Sequence, residues 1–242
     1  MMSIVHDLEG LSRRAAEFFV QQAEAALGSR GRFVLALAGG RTPERTYELL
    51  AQPPFRSKVN WSQVHIFWGD ERCVSLDDPR SNARMARELL LDHVPVPPSQ
   101  IHPMICRESP REGAQRYEAL LRDFFSASTP RFDLILLGLG TNGHTASLFP
   151  HTGVLREQER WVAEIYAAEQ DLYRITLTAR IINQAAAVVF LVAGADKAGV
   201  LQAVLDGPQD PMRLPAQLIH PGDGALHWFV DQAAASQLGS AL

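Results

Sequence analysis

The 242-residue chain contains only two cysteines, Cys73 and Cys106, and neither stands in a CxxC pair. A zinc knuckle or a thioredoxin-like redox motif is therefore absent. A single disulfide is not expected in a chain of this size, and reduced thiols are the simpler reading. No apolar run reaches the ~20 residues that cross a bilayer; the most apolar stretch is Ala185 to Ala195. The start, Met1-Met2-Ser3-Ile4-Val5-His6-Asp7, has neither the basic opening nor the apolar core of a signal peptide. A cytoplasmic protein without a membrane partner is expected. There is no basic surplus, since the formal net charge is −4. That argues against a nucleic-acid partner, yet a local Arg/Lys cluster can still hold one small anion. Internal repeats, low-complexity tracts and charge blocks are missing. The serine elbow G-x-S-x-G is missing too, against an α/β-hydrolase route. The histidines show no convincing metal spacing, because Pro150 interrupts any helix between His144 and His151, and no metal is expected.

Apolar patterning is plentiful. Residues 7–28 carry apolar side chains at helical spacing. Phe33–Ala38 reads as a buried strand, and Thr42-Pro43 opens a helix to about Leu50, with Thr42 as its cap. Val64–Trp68 is a second strand, and Ser81 to Leu91 is helical. Ile101–Met104 reads as a short strand and Glu112 to Phe125 as a helix. Phe132–Gly138 is the most apolar strand, followed by strands at Trp161–Tyr166, Arg174–Thr178, Ala187–Val192 and Leu226–Val230. Helices are expected at Ala179–Gln184, Asp196–Leu205 and Gln232–Leu238. Continuous apolar strands alternating with helices predict an α/β fold: a mainly parallel, Rossmann-like sheet with helices on both faces, as one domain over 1–242. The length suits one large domain, and a monomer is expected.

In such sheets ligands bind beyond the carboxyl ends of the strands. Three loops fall there. In the first, Gly39-Gly40-Arg41-Thr42-Pro43, two glycines let the backbone approach a ligand, and a helix start offers free N–H groups to an anion. Alone, a glycine pair is more simply read as a plain strand-to-helix turn. The second, Gly69-Asp70-Glu71-Arg72, combines acids with an Arg suited to phosphate oxygens, or forms a surface salt-bridge cluster. The third, Gly138-Leu139-Gly140-Thr141-Asn142-Gly143, matches GxGxxG, a weak dinucleotide signal without an acid about 20 residues on. It ends on His144, either a base near neutral pH or a helix-capping residue. Lys197, after the strand Ala187–Val192, is a further candidate phosphate contact or a solvated helix-start lysine.

Together the segments LALAGGRTP (35–43), VHIFWGDERCV (64–74), SNARMARELL (81–90), FDLILLGLGTNGHTASLFP (132–150), RITLT (174–178), ADKA (195–198), LPAQLI (214–219) and HWFVDQAA (227–234) resemble the 6-phosphogluconolactonase family. That family sits in a wider fold group with glucosamine-6-phosphate deaminase. The resemblance implies hydrolysis of 6-phospho-D-glucono-1,5-lactone, a small phosphorylated sugar lactone, in the oxidative pentose phosphate pathway, with no cofactor. It implies that Gly39, Gly40 and Thr42 cradle the phosphate, with Arg72 and Lys197 neutralising it. It implies His144 as general base and Asp70 as a residue positioning substrate or water. The chain departs from the family at Ala38, often Ser, at Arg41, often a small residue, and at Asn142, often Asp. Two rival readings are a deaminase of amino-sugar phosphates and a non-catalytic sugar-phosphate sensor. The deaminases resemble HIAFNEP where this chain has HTASLFP, and nothing before residue 33 could form a DNA-binding module.

Overall fold

The computed structural model describes residues 1–107, 109–125 and 130–239. Six strands form one wholly parallel sheet: β1 (Met2–Val5), β2 (Phe33–Leu37), β3 (Val64–Trp68), β5 (Leu134–Gly138), β8 (Ala187–Val192) and β9 (Ala225–Asp231), in the order β1-β9-β8-β5-β2-β3. A second, antiparallel sheet is built from β4 (Asp70–Arg72), β7 (Leu172–Leu177) and β6 (Val162–Ala167), in the order β4-β7-β6. The helices are α1 (Leu8–Arg30), α2 (Glu44–Leu50), α3 (Asn82–Leu89), α4 (Pro110–Phe124), α5 (Ala179–Ile182) and α6 (Ala198–Leu205).

Period-two alternation divides the core between the faces of the large sheet. From β2, Phe33, Leu35 and Leu37 pack with α1, α2 and α3, while Val34 and Ala36 pack with α4 and the small sheet. Both faces are covered, which is why these strands read as unbroken apolar runs. The helix ends follow local chemistry. Asp7 Oδ1 accepts from Gly10 N at 2.8 Å to start α1, and Ser81 Oγ accepts from Arg84 N at 3.1 Å to start α3. Gly31, in the left-handed region, ends α1.

The mainly parallel sheet with helices on both faces is as expected, but several details differ. β1 was not anticipated; four residues are too few for a periodic signal, and pairing with β9 makes them a strand. The Asp70–Arg72 segment is a strand, not a loop, because it zips onto β7. Ile101 makes one isolated bridge to Ile66 instead of a strand. Thr42 does not cap α2, since Pro43 takes the cap position without a side-chain bond. Residues 232–238 form turns rather than a helix; Asp231 Oδ1 captures Ala234 N at 2.7 Å and bends the chain there.

The cysteines also depart from expectation. Cys73 N donates to Tyr173 O at 2.9 Å, lengthening the β4–β7 ladder by a step. That places Cys73 5.1 Å, Cα to Cα, from Cys106, and the two form a disulfide. The pairing depends on the small sheet, which sequence spacing does not reveal. The bridge spans a separation of 33 residues, and closing a loop of that length limits the unfolded chain by roughly 3–4 kcal/mol. Reduction, or Cys106→Ser, should therefore lower the unfolding free energy by about 2–4 kcal/mol. Denaturant titrations with and without a dithiol reductant check this; coincident midpoints would mean that the bridge adds no stability.

Candidate active site

β2 neighbours β3 on one side and β5 on the other, so the chain reverses direction across the sheet at β2/β5. Loops leaving adjacent strands on opposite courses part there and open a crevice. A cleft of about 740 Å³ lies at this point, a volume suited to a small organic ligand. Its walls come from the loops after β2, β3, β5 and β8, joined by Arg174 of β7 and Asp231 of β9.

Asp70 occupies the centre of a buried polar cluster. Its Oδ2 accepts from Ser147 Oγ at 2.6 Å and from Arg174 Nη1 at 3.2 Å, and its Oδ1 accepts from Asn82 Nδ2 at 3.2 Å. The Asp70 and Arg174 side chains are 8% and 5% exposed, so the charges are removed from water and compensate one another. Arg174 Nη2 also donates to Gln170 Oε1. Glu71 points the other way and anchors α3, accepting from Ser81 Oγ and from the N–H groups of Asn82 and Ala83. Burial pushes the Glu71 carboxyl up, against those donors.

His144 leaves the turn after β5. Its ring lies against Gly140, where a Cβ would come within 2.0 Å of His144 Nδ1; only glycine allows the approach. Phe149 stacks on the ring at 4.4 Å between centroids. Asn142 Oδ1 lies 2.6 Å from Nδ1. Burial depresses the His144 pKa to about 4; Asp70 and Glu169 oppose the fall, and Arg174 and Lys197 add to it. At neutral pH the ring is uncharged. No helix follows His144, as Thr145 and Leu148 close a tight turn instead. This overturns the capping reading, and the GxGxxG run opens no helix of the kind a dinucleotide fold uses.

On the β2 side, Gly39 abuts Asn82 so closely that a Cβ would stand 2.0 Å from Asn82 Oδ1. Among the described residues no protein group accepts from the N–H groups of Gly40, Arg41 or Thr42. These three residues line the cleft together with Arg72 and Lys197. Arg72 Nη1 donates to Arg80 O at 2.5 Å. Lys197 Nζ lies 3.4 Å from Asp196 Oδ2, on the turn after β8. Asp231 holds that turn by accepting from Gly194 N. The cleft thus combines open backbone donors, several cations and a neutral imidazole.

Residues 6–228 match the family model described as glucosamine-6-phosphate isomerases/6-phosphogluconolactonase. The chain belongs to this family. It is 44% identical over 232 residues to a protein of Synechocystis sp. named 6-phosphogluconolactonase, covering 94% of each chain. Its fold matches the crystal structure of 6-phosphogluconolactonase from Leishmania guyanensis with a TM-score of 0.86, at 29% identity and 99% coverage of both chains. It also matches a monomeric glucosamine-6-phosphate deaminase with a TM-score of 0.82, at 22% identity over 98% of this chain and 99% of the other, a likeness of fold.

All seven residues singled out in the sequence, Gly39, Gly40, Thr42, Asp70, Arg72, His144 and Lys197, line the same cleft. The Asp70 carboxylate also accepts from three protein donors, Ser147, Arg174 and Asn82. Arg174, Ser147 and Asn82 were missed as site residues. Only Arg174 left a usable trace, a charged residue in the alternating strand RITLT, on the side away from Ile175 and Leu177. Removing one member of a buried ion pair leaves the other uncompensated. Asp70→Ala should therefore cost about 3–5 kcal/mol of stability, measured by denaturant unfolding. A loss below about 1 kcal/mol, the scale of an exposed pair, would show that Arg174 does not depend on Asp70.

Proposed function

We propose that this member of the family is a cofactor-independent 6-phosphogluconolactonase, in which His144 acts as general base. The observation that carries the reading is a buried imidazole lining the same cleft as open backbone N–H groups and several cations. The names of the relatives support the same substrate, 6-phospho-D-glucono-1,5-lactone, and with it a cytoplasmic place in the oxidative pentose phosphate pathway. The substrate phosphate sits against Gly39, Gly40 and Thr42, with Arg72 and Lys197 balancing its charge. α2 has only seven residues, so the free N–H groups matter more than its dipole. Binding at this remote phosphate orients the ring toward the base. Asp70 holds Arg174 and Ser147 in place rather than working as a base itself.

The chemistry then needs one proton in flight. Water attacks C1 while His144 accepts its proton, and the carbonyl oxygen becomes an oxyanion, which the cationic wall favours. The C1–O bond of the ring breaks, and the departing oxygen takes the proton from His144 to become the C5 hydroxyl. The product acid ionises and releases one proton. A histidine depressed to about 4 is fully in its basic form but a weak base. The arriving phosphate dianion opposes the pull of Arg174 and Lys197 and raises the imidazole toward working pH.

The direct test is acid formation from freshly prepared lactone, corrected for spontaneous hydrolysis. His144→Ala should lower kcat by about 10²–10⁴ and leave binding of 6-phosphogluconate and thermal unfolding nearly unchanged. A folded His144→Ala with near-normal kcat would end the base assignment. Ammonia release from glucosamine 6-phosphate at a comparable rate would end the lactonase assignment. Arg72→Ala should mainly raise KM, about tenfold or more, if a charge-assisted bond of ~1.5–3 kcal/mol is lost.

The pH dependence has a definite sign. Catalysis requires the unprotonated ring, and burial holds the folded pKa near 4, below the unperturbed ~6.5. In free enzyme, the His144 limb of kcat/KM should therefore lie below pH ~6.5, toward the depressed value and below the limb set by the substrate phosphate at ~6. Stability follows the same direction: the unfolded chain binds the His144 proton first as pH falls, so this contribution is present above ~6.5 and is lost between there and about 4. A His144 limb at or above ~6.5, separated from the phosphate limb by the pH profile of kcat, would contradict a buried neutral base.

A further inference from the structure

Asn142 stands two residues before His144 and contacts it twice. Its Oδ1 accepts from the His144 backbone N–H at 3.2 Å and lies 2.6 Å from Nδ1. The backbone group can only donate, so the amide atom facing it is the oxygen, and the orientation of the amide is settled. The same oxygen has no proton to give, so Nδ1 must carry one. A neutral imidazole has a single N–H, and its other nitrogen is then the acceptor. Nε2 has no hydrogen-bond partner among the described residues, and the ring lines the cleft. The amide is held in turn, because Asn142 Nδ2 donates to Glu169 Oε1 at 3.4 Å from the tip of the β6–β7 hairpin. That tip also supplies Gln170, the partner of Arg174.

We infer that Asn142 is a positioning residue that locks His144 in the Nδ1–H form, leaving the Nε2 lone pair open to the cleft, with Glu169 bracing the amide from outside. This rests on His144 as the base but can fail separately from it. A carboxylate in place of Asn142 could make both contacts as well, and it would add a full charge against the ring. The amide fixes the tautomer without that charge. The field at His144 is then set by Asp70 of β4, Arg174 of β7, Lys197 after β8 and Glu169 of the hairpin.

Two variants separate geometry from charge. Asn142→Asp preserves the acceptor and adds a charge, so the acid limb of the kcat profile should rise by about one pH unit or more, with KM little changed. Asn142→Leu removes the acceptor, strands Nδ1–H without a partner and favours the opposite tautomer. Its kcat should fall by about 10²–10⁴, the scale of a misplaced ring proton, again with KM little changed. A residue that served only the fold would lower stability and leave the acid limb in place. Multiple-bond ¹H–¹⁵N NMR of the His144 ring reads the proton directly, without reference to activity. A wild-type ring protonated on Nδ1, together with the limb shift in Asn142→Asp, supports the inference. A wild-type ring protonated on Nε2 overturns it, whether or not the enzyme hydrolyses the lactone. If Asn142→Leu does not fold, the wild-type spectrum and Asn142→Asp still decide.

Discussion

A single buried carboxylate, Asp70, ties together four stretches of chain. Ser147 comes from the turn after β5, Arg174 from β7, Asn82 from the first turn of α3, and Asp70 itself from the start of β4. Its backbone pairs with Thr176, whose Oγ1 accepts from Ser147 N at 3.1 Å. A buried ion pair adds little net stability compared with apolar packing, because desolvation offsets much of the attraction. What it imposes here is geometry. Any shift of one segment would leave a charge or a donor unpaired in the interior, at a cost of several kcal/mol. The cluster therefore fixes the wall from which Arg174 faces the cleft and the turn that carries His144.

The electrostatics of the cleft run against the charge of the chain as a whole. The formal net charge is −4, yet Arg41, Arg72, Arg174 and Lys197 all line one cleft. Asp70 offsets Arg174, and Asp196 lies beside Lys197. What faces an incoming ligand is open backbone N–H groups and several cations around the buried ring of His144. An anion entering this field meets attraction at the cations and raises the basicity of the imidazole by its own charge.

Much of this was legible in the sequence, and the misses share a cause. The parallel sheet announced itself through apolar runs such as FVLAL and LILLG, buried on both faces. The loops beyond its strand ends carried glycine, arginine and histidine, and strand direction alone gathers them at one end. Two strands of the small antiparallel sheet were legible, but its third strand and its pairing were hidden, because Asp70–Arg72 is a strand only by virtue of pairing with β7. Everything depending on that sheet was hidden too: the role of Arg174, the occupied carboxylate of Asp70 and the Cys73–Cys106 bridge. Residues 232–238 failed in the opposite sense. Their alanines favour a helix locally, but Asp231 Oδ1 takes the Ala234 N–H into a turn. Local propensity and strand ends were readable; contacts between distant segments were not.

A crystal structure with bound 6-phosphogluconate bears most directly on the reading of the cleft, since its C1 carboxyl group stands in for the lactone carbonyl. The phosphate should lie on the N–H groups of Gly40 to Thr42 between Arg72 and Lys197. The C1 carboxyl should come within hydrogen-bond reach, about 2.6–3.2 Å, of His144 Nε2. A phosphate bound elsewhere, or a C1 group turned away from His144 while the phosphate is seated, would contradict the assignment of base and cradle.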